Sequence, residues 1–386
     1  MAETPDQPSS SGWAEAVPWM GCPTQVLLTW AWRHRLRIDL SRWPGFVFDL
    51  GFSVLNSGLG LVHDLLGRKT PKNVTFDSPP LFILGHWRTG TTWLHELLAL
   101  DPRHRAPTTF ECFQPGHFYL TESWLKWWTG FLLPPNRPPD NMQMGWDLPQ
   151  EDEFALALQG RPSTYEWIAF PNDPIAWPQA LDIETLPPAE RARWKRDWES
   201  FLKRLVALRP GRLTLKSPQH TCRIPTILEL FPQARFVYLV RNPASVIPST
   251  IRLWTTMFAA YGYQNPKLEG LEDTVFAMFR HYHERLEATR GLVPAGHFVE
   301  LRYEDLVADP VTQLDRLYHQ LDLGDFEAVR ETMTADIARR ANYRPNKHQV
   351  PEPLAERIQV ECRSYCEQYG YAADAGARAK KPAAAG

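Results

Sequence analysis

The residues best suited to chemistry lie in LFILGHWRTGTTWLHELLAL, residues 81 to 100. Gly85-x-x-x-x-Gly90-Thr91-Thr92 has the spacing of a nucleotide-binding P-loop, except that Thr91 stands where that pattern carries its phosphate-gripping lysine. Backbone N–H groups of Thr89 to Thr92, at the start of a helix, form a nest for an anion whatever the side chains are. Gly90 permits close backbone approach, and the threonine hydroxyls add donors. The cation has moved to Arg88, three residues ahead of Thr91. A nucleoside triphosphatase would need the lysine to reach the β- and γ-phosphates and Mg²⁺ to neutralise them. This loop instead suits a donor with a single 5′-phosphate and a transferring group just beyond it. A glycine turn with threonine caps would use the same residues, so the loop does not decide the matter alone.

A second pair of anion-binding residues follows the run RFVYLV: RNPASVIPST places Arg241 at a strand end and Ser249 eight residues on, in a helical segment. Together they could clamp a second phosphate far from the first. At this point the chain resembles the sulfotransferases that use 3′-phosphoadenosine 5′-phosphosulfate (PAPS). In that family an RTGTTW-like loop binds the 5′-phosphosulfate, and a strand-end Arg with a Ser eight residues later binds the 3′-phosphate. LKSPQHTCRIPTILELFPQARFVYLVRNP (215 to 243) resembles the family's run from a Lys-Ser-Pro element to that strand. LRYEDLVADP (301 to 310) is similar to the tyrosine-containing segment after it, and YRPNKHQV (343 to 350) to the basic loop that closes over the nucleotide. The resemblance spans residues 80 to 350 and is nearest to the bacterial-type branch, which includes relatives of tyrosylprotein sulfotransferases. It implies PAPS as sulfuryl donor, 3′,5′-ADP (PAP) as product, and no metal.

The same resemblance distributes roles. Arg88 meets the phosphosulfate, and Lys216 matches the lysine assigned to the sulfuryl oxygens in the tyrosylprotein branch, against the alternative of a surface charge. Glu111, in RAPTTFECFQP, resembles the catalytic glutamate after the loop helix, with His117 and His86 as competing bases because cytosolic members use a histidine. Either type of base needs a suitably placed pKa. Trp93 matches the tryptophan that stacks on adenine, although helix-face core packing explains it equally well. Tyr303 is expected near adenine or the ribose, and Arg344 and Lys347 at the phosphates. In LPQEDEFAL the carboxylates Glu151, Asp152 and Glu153 enter a helix, where capping and dipole complementation are the default; Glu151 and Asp152 could instead orient the acceptor. Asp305 belongs to a structural Tyr-Glu-Asp segment.

These residues need a scaffold. The runs LFILG, LTLKS, RFVYLV and HFVELRY are short and apolar on consecutive positions, as strands covered on both faces are. Helical patterns separate them, which predicts an α/β fold: a P-loop-like parallel sheet flanked by helices on both faces. One sulfotransferase-type domain is expected over 76–371, with a helical N-terminal extension over 13–75, an insertion at about 115–180, and disordered ends at 1–12 and 372–386. Ligands of such sheets bind at the carboxyl ends of the strands, where an insertion can form a lid. A chain of 386 residues with 44% hydrophobic residues can bury a large core, and a formal charge of -2 argues against nucleic acid as a partner.

The five cysteines (Cys22, Cys112, Cys222, Cys362, Cys366) are odd in number and scattered, hence reduced thiols of a cytoplasmic protein; Cys362 and Cys366 are one helical turn apart but lack further ligands for a metal. The N-terminus lacks the basic start and apolar run of a signal peptide. Residues 45 to 66 come nearest to a membrane segment, but Asp49, Asn56, His63 and Asp64 interrupt them, so packing on the protein is expected. The preceding TWAWRHRLRIDLSRWPG mixes Trp with Arg as interfacial helices do, which keeps peripheral membrane contact open. A small-molecule kinase and a non-catalytic nucleotide-binding protein are the alternatives. The Trp-rich insertion fits an apolar or sugar-faced acceptor but does not identify it.

Overall fold

Five short runs become parallel strands, the central ones buried between helices and the edge run 298–302 only partly covered. The computed structural model describes residues 18–66, 74–130, 145–173, 177–340 and 350–371. The strands are β1 (Leu81–Leu84), β2 (His104–Arg105), β3 (Arg212–Lys216), β4 (Arg235–Val240) and β5 (Phe298–Arg302), in the order β2-β3-β1-β4-β5. The four expected runs are all present; β2 is additional, and with two residues paired to β3 it is too short to leave a periodic signal. Successive side chains of a strand point to opposite faces. Phe82, Leu84, Phe236 and Tyr238 accordingly enter one core, and Leu81, Ile83, Val237 and Leu239 another. The second core is closed by α3 (Thr91–Leu98), through Leu94, Leu97 and Leu98, and by the helix Pro310–Leu321. The first lies against the helices Pro243–Tyr261 and Leu271–Thr289.

The strand order locates the site. β1 and β4 are neighbours, but the chain leaves β1 toward β2 and leaves β4 toward β5. That divergence opens a crevice at their carboxyl ends. The loop with Arg88 leaves the end of β1, Arg241 follows β4, and Lys216 is the last residue of β3.

The segment around 145–170 is part of the core. α6 (Glu153–Leu158) and the short helix Glu166–Ala169 are buried throughout. At the N-terminus, α1 (Thr24–Arg33) and α2 (Trp43–Leu65) pack on this body through Asp49, Ser53, Asn56 and His63 of α2. Asp49 accepts a hydrogen bond from Tyr263 Oη at 2.7 Å. Burial pushes its carboxyl from 3.8 up to about 7, only partly opposed by that bond. The folded state therefore holds this proton more tightly than the unfolded chain. Its stabilising contribution is complete below pH 3.8 and disappears as pH rises through 7. The displacement corresponds to at most roughly 4 kcal/mol. Asp49→Asn, which keeps an acceptor for Tyr263, is expected to flatten the decline in thermal stability between pH 5 and 8. Parallel curves for the two proteins would place that pH dependence elsewhere.

Candidate active site

The loop between β1 and α3 is held open by backbone geometry. Gly85, Arg88 and Gly90 all have positive φ, at 147°, 68° and 97°. For Arg88 this is a sparsely populated conformation. The loop is pinned at both ends. The Gly85 N–H donates to Thr221 Oγ1 at 2.9 Å, and Thr89 Oγ1 donates to the His86 carbonyl at 2.7 Å. Gly90 precedes α3 with no side chain capping it, so the first amides of the helix face the crevice. A Cβ at Gly90 would clash with the edge of the Tyr303 ring, so packing as well as φ favours glycine there.

Four of the expected residues meet at this loop. Arg88 Nε donates to Ser249 Oγ at 2.8 Å, and Arg241 Nη1 donates to the Arg88 carbonyl at 2.7 Å. The Arg241 guanidinium lies 3.9 Å from the centroid of the Tyr303 ring. Gly90, Tyr303 and Arg241 thus form a stack over the crevice. Ser249 is delivered by the helix Pro243–Tyr261, whose first turn is capped by Asn242 accepting from the Ala244 N–H at 2.9 Å. Trp93 is half-buried against the core under α3, with the rest of its ring exposed.

A second cluster adjoins the first. Lys216 Nζ donates to Thr92 Oγ1 at 3.3 Å and pairs with Glu151. The other Glu151 oxygen accepts from Tyr165 Oη, which in turn receives Trp87 Nε1 at 3.4 Å. Only 2% of the lysine side chain is exposed, so its charge is committed to this network. Tyr165 was not anticipated, because it lies in a stretch without periodicity and its partner is Glu151, 14 positions away.

The two carboxylates that follow Glu151 are each held by buried partners. Asp152 accepts from Ser217 Oγ at 2.7 Å and Trp198 Nε1 at 2.8 Å and lies 3.0 Å from His220 Nε2. Burial alone would raise its carboxyl, but these partners outweigh it and hold it well below the usual carboxylate range. Glu153 forms a fully buried pair with Arg223 at 2.6 Å.

Glu111 directs its hydrogen bonds to a different set of residues. It is fully buried at the N-terminus of α4 (Thr109–Phe113). One oxygen takes Arg105 and Arg209, the latter at 2.7 Å, and the other accepts the Thr108 N–H at 2.8 Å. Thr108 and Glu111 form a reciprocal capping box, so both oxygens of this carboxylate are engaged. His117 is buried at the start of α5 (Phe118–Thr129), between Thr121 and Asn56, each at 2.9 Å. Burial lowers it to about 4. His86 is likewise buried among Trp87, Phe279 and Tyr282 and lowered by burial to about 4. Both imidazoles are neutral and weakly basic at pH 7. Arg344 and Lys347 lie outside the described residues.

The family profile described as "Sulfotransferase family" matches residues 79–327, which contain Arg88, Glu151, Lys216, Arg241, Ser249 and Tyr303. The chain belongs to the sulfotransferase family. Two relatives, from Mycobacterium bovis and Mycobacterium tuberculosis, are omega-hydroxy-beta-dihydromenaquinone-9 sulfotransferases named Stf3. Each is 41% identical over 364 residues, covering 94% of this sulfotransferase and 93% of the relative. Among solved structures, sulfotransferase STF9 from Mycobacterium avium superposes with a TM-score of 0.58 at 19% identity, covering 95% of this chain and 98% of its own. Sulfotransferase STF1 from Mycobacterium tuberculosis gives 0.59 at 18% identity, covering 86% and 90%. These two establish the likeness of fold. The kinase and non-catalytic readings that the loop alone left open are not favoured by these matches.

Proposed function

We propose that this sulfotransferase takes the sulfuryl group from PAPS and delivers it to a terminal hydroxyl of a strongly apolar, menaquinone-type acceptor. The observation that carries the donor is the convergence of Arg88, Ser249, Arg241 and Tyr303 on the uncapped start of α3, where β1 and β4 diverge. This cradle has amides and a cation for one phosphate, and a guanidinium and hydroxyl for another. The acceptor reading rests on the name of the relatives; the rings of Trp87, Trp167, Trp254 and Phe258, packed in the core next to the loop, give its surroundings an apolar character.

PAPS supplies a sulfur–oxygen bond to a phosphate that is a good leaving group. Transfer breaks that bond and forms one to the acceptor oxygen, whose proton must leave. Lys216, the last residue of β3 and held beside the loop by Glu151 and Thr92, brings a positive charge that can stabilise a sulfuryl oxygen. Glu151, fixed by Lys216 and Tyr165, is the carboxylate beside that cation and takes the proton as general base. Glu111 keeps its two arginines and its capping box, a positioning role for the chain after α3.

Calorimetry tests the donor half. PAP is expected to bind at least roughly tenfold tighter than 5′-AMP, since a charge-assisted contact to the extra phosphate contributes about 1.5–3 kcal/mol. Arg241→Ala or Ser249→Ala should erase most of the difference. Equal binding of the two nucleotides by the wild type would sink the reading. The acceptor half is tested by mass spectrometry of products formed from an ω-hydroxylated menaquinone and from a water-soluble alcohol.

A further inference from the structure

Helix α2 is built inside out. Its buried positions, Phe46, Asp49, Ser53, Asn56 and His63, recur at helical spacing, and four of the five are polar. Its outward face carries Val47, Val54, Leu55, Leu61, Val62 and Leu65, between 45% and 76% exposed. From Val47 to Val62 every exposed position is apolar or glycine. A helix on a water-facing surface has the opposite arrangement. The polar seam is fastened to its surroundings at three points: Asp49 to Tyr263, Ser53 to Thr24 at 3.2 Å, and Asn56 to His117 at 2.9 Å. The helix cannot roll over to hide its apolar side without stranding these groups. Leu40–Leu65 is 26 residues, long and apolar enough to cross a bilayer. Fastened sideways, it lies along the body rather than projecting from it.

We infer that this face seats the protein in the interfacial layer of a lipid bilayer, with α2 parallel to the membrane plane. Its rim has the matching composition. Exposed Trp32, Leu36, Leu40 and Trp43 alternate with arginines, of which Arg33 and Arg37 pair with Glu166 and Asp173 yet remain 56% and 58% exposed. Such Trp–Arg borders sit at headgroup level, the guanidinium groups complementing anionic lipid. Helix α5 is tied to α2 by His117–Asn56 and by the Tyr119–His63 ring contact, and it adds Trp127 and Trp128, 78% and 64% exposed.

The rim of this surface is also linked by hydrogen bonds to the candidate active site. Tyr165 holds Glu151, while the next residue, Glu166, holds Arg33 and His34 at the end of α1. Resting on the acceptor reading above, this ties the Trp–Arg rim to the Glu151 network through two adjacent residues, a position suited to an acceptor that resides in lipid.

Flotation of the full chain with vesicles tests this. The protein is expected to float with phosphatidylcholine–phosphatidylglycerol vesicles, and less with phosphatidylcholine alone. The combined change Val54→Glu, Leu61→Glu and Leu65→Glu should abolish flotation while leaving thermal stability unchanged, because these side chains are exposed. Wild type that stays in solution, or a triple variant that still floats, would overturn the proposal. So would a concentration-dependent dimer that the same changes dissociate, since the face would then hold a second copy. Flotation needs neither donor nor acceptor, so it stands or falls separately from the calorimetry.

Discussion

Lys216→Met is expected to lower kcat by roughly 100- to 1,000-fold, the effect of removing one preorganised charge from a site where negative charge develops. The lysine is buried, already oriented by Glu151 and Thr92, and stands at the end of β3 beside the loop. The substitution also leaves Glu151 largely buried with Tyr165 as its remaining partner, and an unpaired buried carboxylate is destabilising by about 3–5 kcal/mol. Two readouts separate these effects. Adding Glu151→Gln should recover much of the lost thermal stability without recovering rate, because the uncompensated charge disappears while the missing cation does not. Single-turnover kinetics locate the defect in the chemical step; a change confined to KM would make Lys216 a ground-state contact instead.

A crossed pair of isosteric changes gives the second large effect. Glu151→Gln is expected to cut turnover by roughly 100- to 10,000-fold with PAP binding retained, as loss of a positioned base does. Glu111→Gln is expected to act on stability. It weakens a carboxylate that holds Arg105, Arg209 and the Thr108 amide at once, a loss on the order of 3 kcal/mol, while turnover per folded molecule stays within a few-fold. Temperature-resolved activity and calorimetric unfolding check both. If Glu111→Gln is inactive but fully stable and Glu151→Gln is active, the base is Glu111.

What was legible in the chain follows from how local each signal is. Gly85 to Thr92 and the Arg241–Ser249 pair lie on single strand–loop–helix units, so their spacing carries their geometry. The four apolar runs identify their strands because parallel strands are covered on both faces. Choosing between Glu111 and Glu151 requires knowing which arginines and lysines fold back onto each, and Arg209 and Lys216 come from positions 98 and 65 residues away. One local clue was present: Thr108-x-x-Glu111 has the spacing of a capping box. In α2, Asp49, Ser53 and Asn56 fall on one stripe of a helix, but that the stripe faces inward depends on Tyr263, 214 positions on.

The stack of Gly90, Tyr303 and Arg241 has a consequence for how the protein is made. Its contact to the loop from Arg241 to Arg88 bridges 153 residues, and the neighbouring Arg88–Ser249 bond bridges 161. Tyr303 follows the edge strand β5, which can join the sheet only after β4 is in place. A ribosome therefore releases most of the α/β core before the loop acquires its cover, and the closure entropy of those contacts is met late. Nucleotide affinity should emerge abruptly in a series of nascent chains, once the segment beyond Arg302 clears the exit tunnel.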